Sequence, residues 1–217
     1  VAADELGFIY VSDSLDFSLK KFDLQGRLVR KAGRKGQGPG EFLAPRLLGC
    51  SPKFIFVTDQ NIPGIQVFDK DLRFQRHIPF TAPIGDMCVL GDDRLAVKAL
   101  FLGRPAGVYV LNGQGEIQRE FRLAGENTGL LMDMASFDFD SEGNFYVAFI
   151  FEDRVEKYRA DGKKLWTIKL LEGRKAKKKK ISSYEVPTEV VLKDIVLDRR
   201  GNVFVLGGHF SRNASRD

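Results

Sequence analysis

The sequence predicts an all-β protein assembled from repeated four-stranded antiparallel units. Three observations support this prediction. Short runs rich in β-branched and aromatic residues recur along the chain, a second apolar position follows each of the first four runs, and glycine-containing turns separate the runs. Alternating strand formers bounded by turn residues are typical of β-strands. No segment shows the apolar spacing of a helix longer than one turn.

The apolar runs are each centred on a valine, and consecutive valines are separated by 46, 40, 50 and 58 residues. The valines are Val11, Val57, Val97, Val147 and Val205. The second apolar position lies 11 residues after the valine in three units and 14 residues after it in the third unit. These second positions are Phe22, Phe68, Leu111 and Tyr158. A chance pattern would not keep this offset, so the units are predicted to be structural repeats.

Turn sequences occupy corresponding places in successive units, either before the valine strand or after the second apolar position. Glycine tolerates a positive φ, and Asp or Asn bonds its own backbone, so each of these sequences predicts a tight hairpin turn. The turns divide each unit into four short strands. They lie at residues 23–26, 112–115, 140–144, 159–162 and 198–202.

Units of four strands and about 40 to 50 residues are typical of the blades of a β-propeller. The sequence therefore predicts a single propeller domain over residues 1–217, with about four and a half blades present. The second apolar position of the fifth unit would fall near Arg216, so we expect C-terminal sequence to be missing or the last blade to be altered. The predicted blades are residues 1–35, 36–82, 83–126, 127–172 and 188–217, with an inserted basic loop at 173–187.

A glycine-rich segment, GRKGQGPGEFLAP at residues 33–45, separates the first two units. It lacks the Gly-Lys-Ser/Thr ending of a phosphate-binding loop and leads into a strand, so it is predicted to be a crossover between blades. Glu41 and Phe42 are expected to fix this connector to the next blade.

The connector resembles the GPGEF-containing connector of NHL-repeat proteins. Tyr10-Val11-Ser12-Asp13 and Phe56-Val57-Thr58-Asp59 resemble the valine strand of that family, whereas the third unit departs most, since no Asp follows Val97. The resemblance implies a six-bladed propeller, with about 60 to 70 residues absent from this sequence. It also implies a bacterial protein of the cell envelope, periplasm or surroundings, although a cytoplasmic location stays open.

The candidate ligand-binding residues are predicted on one face of the ring, in the loops that join strands. Asp13 and Asp59 end two of the valine strands, where they would either line a ligand or cation site or cap the loop that follows. A single sequence leaves both possibilities open. The candidates on this loop face are Asp13, Asp59, Asn61, Arg104, Asp153 and His209.

Histidine and cysteine are scarce. The two histidines are His77, on a predicted outermost strand, and His209, in a predicted loop. One loop histidine without carboxylate partners does not make a zinc site, which disfavours the amidating-lyase chemistry of some NHL-like lyases. A carboxylate-rich calcium or zinc site, as in gluconolactonase-type propellers, stays open. Cys50 and Cys88 fall in predicted strands without an evident neighbouring cation, so they are expected to be buried and unreactive.

The net charge of +5 and the pI of about 9.2 come from one segment. Its six basic residues contribute +6, which leaves −1 for the rest of the chain. The segment is either a mobile, solvated loop or a contact for anionic lipid, polyphosphate or nucleic acid. No aromatic residue interleaves with the lysines, which weakens the case for stacking against single-stranded nucleic acid. The residues are Arg174, Lys175, Lys177, Lys178, Lys179 and Lys180.

These features favour a non-catalytic binding scaffold that presents its loop face to a protein or glycan and needs no cofactor. One alternative is a metal-dependent hydrolase or lyase, with Ca²⁺ or Zn²⁺ at the mouth of the propeller channel. A second alternative is a nucleic-acid-binding NHL domain. The longest apolar runs are far shorter than the roughly 18 residues that a membrane-spanning helix needs.

Overall fold

The computed structural model describes residues 1–91, 94–99, 107–122, 135–173, 176–181, 184–198 and 200–208. Within these ranges the chain forms 20 β-strands and no helix. The described residues thus include no helix with the length and apolar character to cross a membrane. The predicted all-β class is confirmed. The chain divides into two compact units, residues 1–122 and 123–217.

The first unit contains three four-stranded antiparallel sheets in which every strand pairs with its neighbours in sequence. The first sheet comprises β1 (Ala2–Ala3), β2 (Ile9–Asp13), β3 (Ser18–Phe22) and β4 (Leu28–Ala32). The second comprises β5 (Pro45–Cys50), β6 (Phe54–Asp59), β7 (Ile65–Asp69) and β8 (Phe74–Ile78). The third comprises β9 (Ile84–Val89), β10 (Leu95–Ala99), β11 (Gly107–Leu111) and β12 (Ile117–Arg122).

The second unit contains one four-stranded sheet and two strand pairs, all antiparallel. The four-stranded sheet comprises β13 (Ala135–Phe139), β14 (Phe145–Phe149), β15 (Val155–Tyr158) and β16 (Lys164–Ile168). The pairs are β17 (Lys178–Ile181) with β18 (Tyr184–Pro187), and β19 (Leu192–Leu197) with β20 (Val203–Gly207). Four blade-like sheets and a partial fifth make the fold that of a β-propeller.

The repeat pattern of the sequence corresponds to these sheets. The five predicted valines lie in β2, β6, β10, β14 and β20, and the four second positions lie in β3, β7, β11 and β15. The four-stranded sheets fall inside the ranges predicted for the first four blades. That the whole chain forms a single domain stays a prediction.

Among the described residues of the first unit, two apolar clusters join neighbouring sheets. One joins Tyr10 of the first sheet to Ile55 and Val57 of the second sheet. The other joins Phe56 of the second sheet to Tyr109 of the third. Successive residues of a strand point to opposite faces, so the side chains of β6 belong alternately to one cluster and to the other. Because Ile55 and Phe56 are fully buried, the second sheet is covered by apolar side chains on both faces.

The second unit has a smaller apolar cluster. It joins Tyr146 and Val155 of the four-stranded sheet to Leu192 and Ile195 of β19. Ala176, from the inserted segment, is buried in the same cluster. The insert is therefore attached to this unit through an apolar residue that lies among its lysines.

The hairpin turns follow a common rule. Asp23, for example, accepts hydrogen bonds through Oδ1 from the backbone N–H groups of Gln25 and Arg27, at 3.0 and 2.9 Å. Gly26 closes that turn with φ of +75°. In the second blade Leu72 has φ of +59° at the same turn position. Leu72 is only 3% exposed, so burial in the first apolar cluster offsets the cost of a left-handed backbone.

The segment predicted as an inserted basic loop contains regular structure. Lys178 to Ile181 pair with Tyr184 to Pro187 as a hairpin, in the register Lys179↔Val186 and Lys180↔Glu185. The expectation of a loop was therefore wrong for these residues. Ile181, Tyr184 and Val186 are strand formers, but the charge of the neighbouring lysines favoured a solvated loop as the prediction.

Candidate ligand-binding cleft

The glycine-rich connector lies against the second sheet. Phe42 is fully buried, and its ring stacks on that of Phe68 with centroids 5.8 Å apart. The side-chain amide of Gln66 accepts a hydrogen bond from the backbone N–H of Gly40 at 2.9 Å and donates one to the carbonyl oxygen of Glu41 at 2.7 Å. The prediction that Glu41 and Phe42 fix the connector to the next blade is confirmed.

The Glu41 side chain serves the connector itself. Its carboxylate accepts hydrogen bonds from the backbone N–H of Gly38 at 2.9 Å and from Arg34 Nε at 2.8 Å. The Gly38 N–H, and then the Arg34 guanidinium, lower the pKa of the Glu41 carboxyl. The connector is thus a rigid crossover, which agrees with the crossover interpretation of its glycines.

Asp59 ends β6 and anchors the end of the connector. Its Oδ2 accepts hydrogen bonds from the backbone N–H groups of Leu43 and Ala44, both at 2.8 Å. Its Oδ1 accepts a third from the backbone N–H of Asn61, also at 2.8 Å. The carboxylate therefore fixes the chain on two sides of the opening that lies beside it.

That opening is a cleft of about 380 Å³ at the end of the second blade. Its lining comes from the start of β5, the β6–β7 loop at residues 60–64, and the β8–β9 connection at residues 79–83. Two predicted residues, Asp59 and Asn61, lie together in it. The cleft was not predicted as a cavity, because its lining meets only when the second and third sheets pack together.

The chemistry of the cleft is mixed. The exposed polar side chains in its lining are Arg46, Gln60, Asn61 and Thr81. Ile62, Ala82 and Ile84 supply apolar surface. Within the described residues the Arg46 guanidinium has no ion-pair partner, although the Arg46 carbonyl accepts a hydrogen bond from Ser12 Oγ at 2.8 Å. The site thus offers a positive charge and hydrogen-bonding groups beside an apolar floor.

His77 lies next to this loop. It occupies β8, the edge strand of the second sheet, as predicted. Its Nε2 lies 2.9 Å from the carbonyl oxygen of Pro63, a geometry in which a protonated Nε2 donates. The ring packs where a Cβ on Gly64 would be, so His77 shapes the loop from outside the cleft.

Asp13 lies at the same place in the first blade but bonds differently. Its Oδ1 accepts hydrogen bonds from the backbone N–H groups of Leu15 and Asp16, at 3.0 and 3.1 Å. Its Oδ2 pairs with Lys20 Nζ at 2.6 Å, and this contact lowers the pKa of Asp13. Asp13 thus caps its own loop, which is one of the two roles that the sequence left open.

Asp153 belongs to the second unit and is 3% exposed. Its two oxygens accept hydrogen bonds from the backbone N–H groups of Leu170, Leu171 and Gly173, at 2.7, 2.6 and 2.7 Å. The carboxylate therefore holds the chain that leaves the fourth blade. Two further candidates, Arg104 and His209, lie outside the described residues.

The basic segment is described from residue 176 onward, apart from residues 182 and 183, and Arg174 and Lys175 lie outside the description. Lys177, Lys178, Lys179 and Lys180 are exposed. Lys177 Nζ lies 4.0 Å from Glu189 Oε2. Alternation along β17 points successive lysines to opposite sides of the hairpin, so they do not form a single stripe.

One expectation about cysteine was wrong. Cys50 and Cys88 lie in β5 and β9, as predicted, but both are only half-buried. Lys70 Nζ lies 2.7 Å from Cys50 Sγ, so Cys50 does have a neighbouring cation. The contact escaped prediction because 20 residues separate the two positions and no local motif joins them.

Among the described residues, no three His, Cys, Asp or Glu side chains come together in a way that could hold a metal ion. Arg104 and His209 are not part of that description. A metal-dependent site therefore stays a prediction.

No protein-family model and no curated protein matches the sequence. Solved structures do match in fold. A catalytically inactive virginiamycin B lyase from Staphylococcus aureus, solved with quinupristin, gives a TM-score of 0.64 at 11% identity over 95% of this chain and 61% of that chain. The Cps50 (Swd1) β-propeller domain of Myceliophteria thermophila gives 0.62 at 12% identity, over 92% and 58%.

A candidate exported protein from Bacteroides fragilis gives a TM-score of 0.59 at 15% identity, over 76% of this chain and 48% of that one. Identities this low show a common fold. The chain spans about three fifths of the length of the lyase and of the Cps50 domain, and about half that of the exported protein.

Proposed function

We propose that the chain belongs to an NHL-type, six-bladed propeller that acts as a non-catalytic scaffold and binds a protein partner at its loop face. The propeller fold and the GPGEF connector support the class. The cleft at the end of the second blade is the observation that supports the binding role. No cofactor takes part in this proposal.

The cleft lining suits an extended peptide segment that carries an acidic side chain. The exposed Arg46 guanidinium can bind a carboxylate through two parallel hydrogen bonds. The amides of Gln60 and Asn61 offer both donors and acceptors to peptide groups. A volume of about 380 Å³ falls within the range of roughly 300 to 1,000 Å³ that is usual for ligand sites.

The proposal is tested by selecting a displayed random-peptide library against the chain and measuring enriched peptides by calorimetry. We expect enrichment of Asp and Glu, and at least a tenfold loss of affinity in Arg46→Ala. The control is Arg73→Ala, since Arg73 is exposed at the other end of the same sheet. Peptides without acidic residues, or equal affinity for both variants, would contradict the proposal.

Parallel measurements separate the alternatives. Binding of an acidic oligosaccharide in place of peptides would make the partner a glycan. Turnover of a lactone or ester that depends on added Ca²⁺ or Zn²⁺ would replace the scaffold with a metal-dependent enzyme. Affinity for RNA at low salt that disappears as salt rises would favour the nucleic-acid alternative.

We assign the exposed lysines of the β17–β18 hairpin an auxiliary contact with an anionic partner. Their exposure supports this assignment. An extracytoplasmic location in a bacterium completes the proposal. The family resemblance supports it, and one of the similar structures carries an exported-protein name.

A further inference from the structure

We infer that Cys50 and Lys70 are the two ends of an oxidative cross-link, in which a single oxygen atom joins Lys70 Nζ to Cys50 Sγ. The two atoms lie 2.7 Å apart. Two other cysteine sulfur contacts among the described residues are longer, at 3.6 Å from Cys50 Sγ to the Ser51 carbonyl and 3.9 Å from Cys88 Sγ to the Val89 carbonyl. The nitrogen and the sulfur are thus held within the span of one bridging atom.

The topology of the second blade produces this approach. Cys50 is the last residue of β5, and its register partner in β6 is Ile55. Lys70 follows β7, whose last residue, Asp69, pairs with Phe54 at the start of β6. Both positions therefore flank the same end of β6, and the side chains meet across it.

The surroundings favour a reaction at this pair. Cys50 and Lys70 are both half-buried, so a small oxidant has access while larger reagents are hindered. Lys70 Nζ lies 5.4 Å from the centre of the Tyr10 ring, and Lys21 Nζ lies 5.7 Å from it. Two cations thus face one ring, and linking the Lys70 nitrogen to oxygen removes one of these charges.

The chemistry balances with dioxygen as the oxidant. The S–H bond of Cys50 and one N–H bond of neutral Lys70 break, and one S–O and one O–N bond form. The two hydrogens leave with the second oxygen atom as water. Sulfur and nitrogen each lose two electrons, and dioxygen takes up all four. Two molecules of hydrogen peroxide supply the same four-electron oxidation, with three molecules of water as the product.

The test is intact-mass and peptide-mapping spectrometry of the full chain after exposure to air or hydrogen peroxide. We expect a gain of one oxygen and a loss of two hydrogens, located in a cross-linked peptide pair that contains Cys50 and Lys70. Dithiothreitol should restore the original mass. Cys50→Ser and Lys70→Arg should each abolish the product, whereas Cys88→Ser should retain it.

Lys70→Arg keeps the positive charge, and its unfolding midpoint under reducing conditions shows whether the variant is folded. The link joins two points on the same blade, so oxidation should raise the unfolding midpoint of the parent chain and leave that of Cys50→Ser unchanged. Oxidation that stops at sulfenic or sulfinic acid on Cys50, without a linked lysine, would overturn the inference. So would a Cys50 thiol that alkylates fully after oxidation.

Discussion

The first and second blades are close copies in sequence, yet they hold their loops in different ways. Asp13 and Asp59 both end the valine strand. Asp13 bonds only within its own loop and to Lys20, whereas Asp59 reaches Leu43 and Ala44 of the incoming connector. The position in the repeat thus sets where the carboxylate lies in its blade. Its hydrogen-bond partners depend on which backbone segment lies next to it.

The hairpin turns between the third and fourth strands differ as well. Gly26 closes the turn of the first blade with no atom near its missing Cβ. Leu72 closes that of the second blade with a buried side chain and a left-handed backbone. In the second blade, the packing of Leu72 against the first blade thus offsets the strain of its left-handed backbone.

Substitutions at these turns should have the largest effect on the free energy of unfolding. Leu72→Ala should lower the free energy of unfolding by about 2–5 kcal/mol, since it removes a buried side chain and keeps the positive φ. Gly26→Ala should cost only about 1 kcal/mol, because strain alone is added. Urea unfolding measures both.

Leu72→Gly sharpens the same comparison. It loses the packing but relieves the backbone, so it should be no less stable than Leu72→Ala, which reverses the usual order of the two residues within regular structure. A glycine variant clearly less stable than the alanine variant would show that the left-handed backbone is not strained.

The aspartates should give an intermediate effect. Asp59→Ala leaves three backbone N–H groups without their carboxylate, so we expect a loss of about 1–3 kcal/mol in unfolding free energy. Asp13→Ala should cost less, because it leaves two backbone N–H groups of its own loop without a carboxylate rather than three. Hydrogen exchange should show faster exchange at Leu43 and Ala44 in the first variant only; equal exchange in both would remove the distinction between the blades.

Acid should give the smallest effect on stability, and the loop of the first blade is one place to follow it. Hydrogen bonds from Lys31, and then from Lys20, lower the pKa of Asp16 in the folded chain. A lowered folded pKa means that ionised Asp16 stabilises the loop at neutral pH. This contribution is lost as the pH falls from the ordinary carboxyl range toward the lowered folded value.

Amide chemical shifts of residues 14–17, followed through an acid titration, measure that loss. Asp16→Asn should remove the part of the transition that belongs to Asp16 and leave the part that belongs to Asp13, whose carboxylate bonds the same loop. High salt should weaken the ion pairs. The Asp59 carboxylate bonds the loop of the second blade, so the control is the same titration of Asp16→Asn. An unchanged transition in that variant would contradict the assignment.

The strands and turns could be predicted because their causes are local. Alternating strand formers around Val57 and the Asp–Gly pairing of Asp23 with Gly26 act within a few residues. The turn at Leu72 gave no such signal, since its left-handed backbone depends on burial against another blade. The β17–β18 hairpin was not predicted, because a run of lysines indicates a solvated loop more strongly than Ile181 and Val186 indicate a strand.

The site was only partly predictable for the same reason. Placing Asp59 and Asn61 at the end of a strand needed only the repeat pattern. Bringing Arg46 and Thr81 beside them depends on strand register and on the packing of neighbouring sheets, which no short motif encodes. The meeting of Cys50 with Lys70 likewise depends on which strands flank β6.

The Gln66 amide imitates a peptide group. It receives one hydrogen bond from the connector and returns another, as a neighbouring strand would. Sliding the connector by one residue would break both hydrogen bonds, so the amide favours a single alignment. A force that pulls on the connector would therefore act through Gln66 on β7, and the crossover would resist being displaced from the sheet.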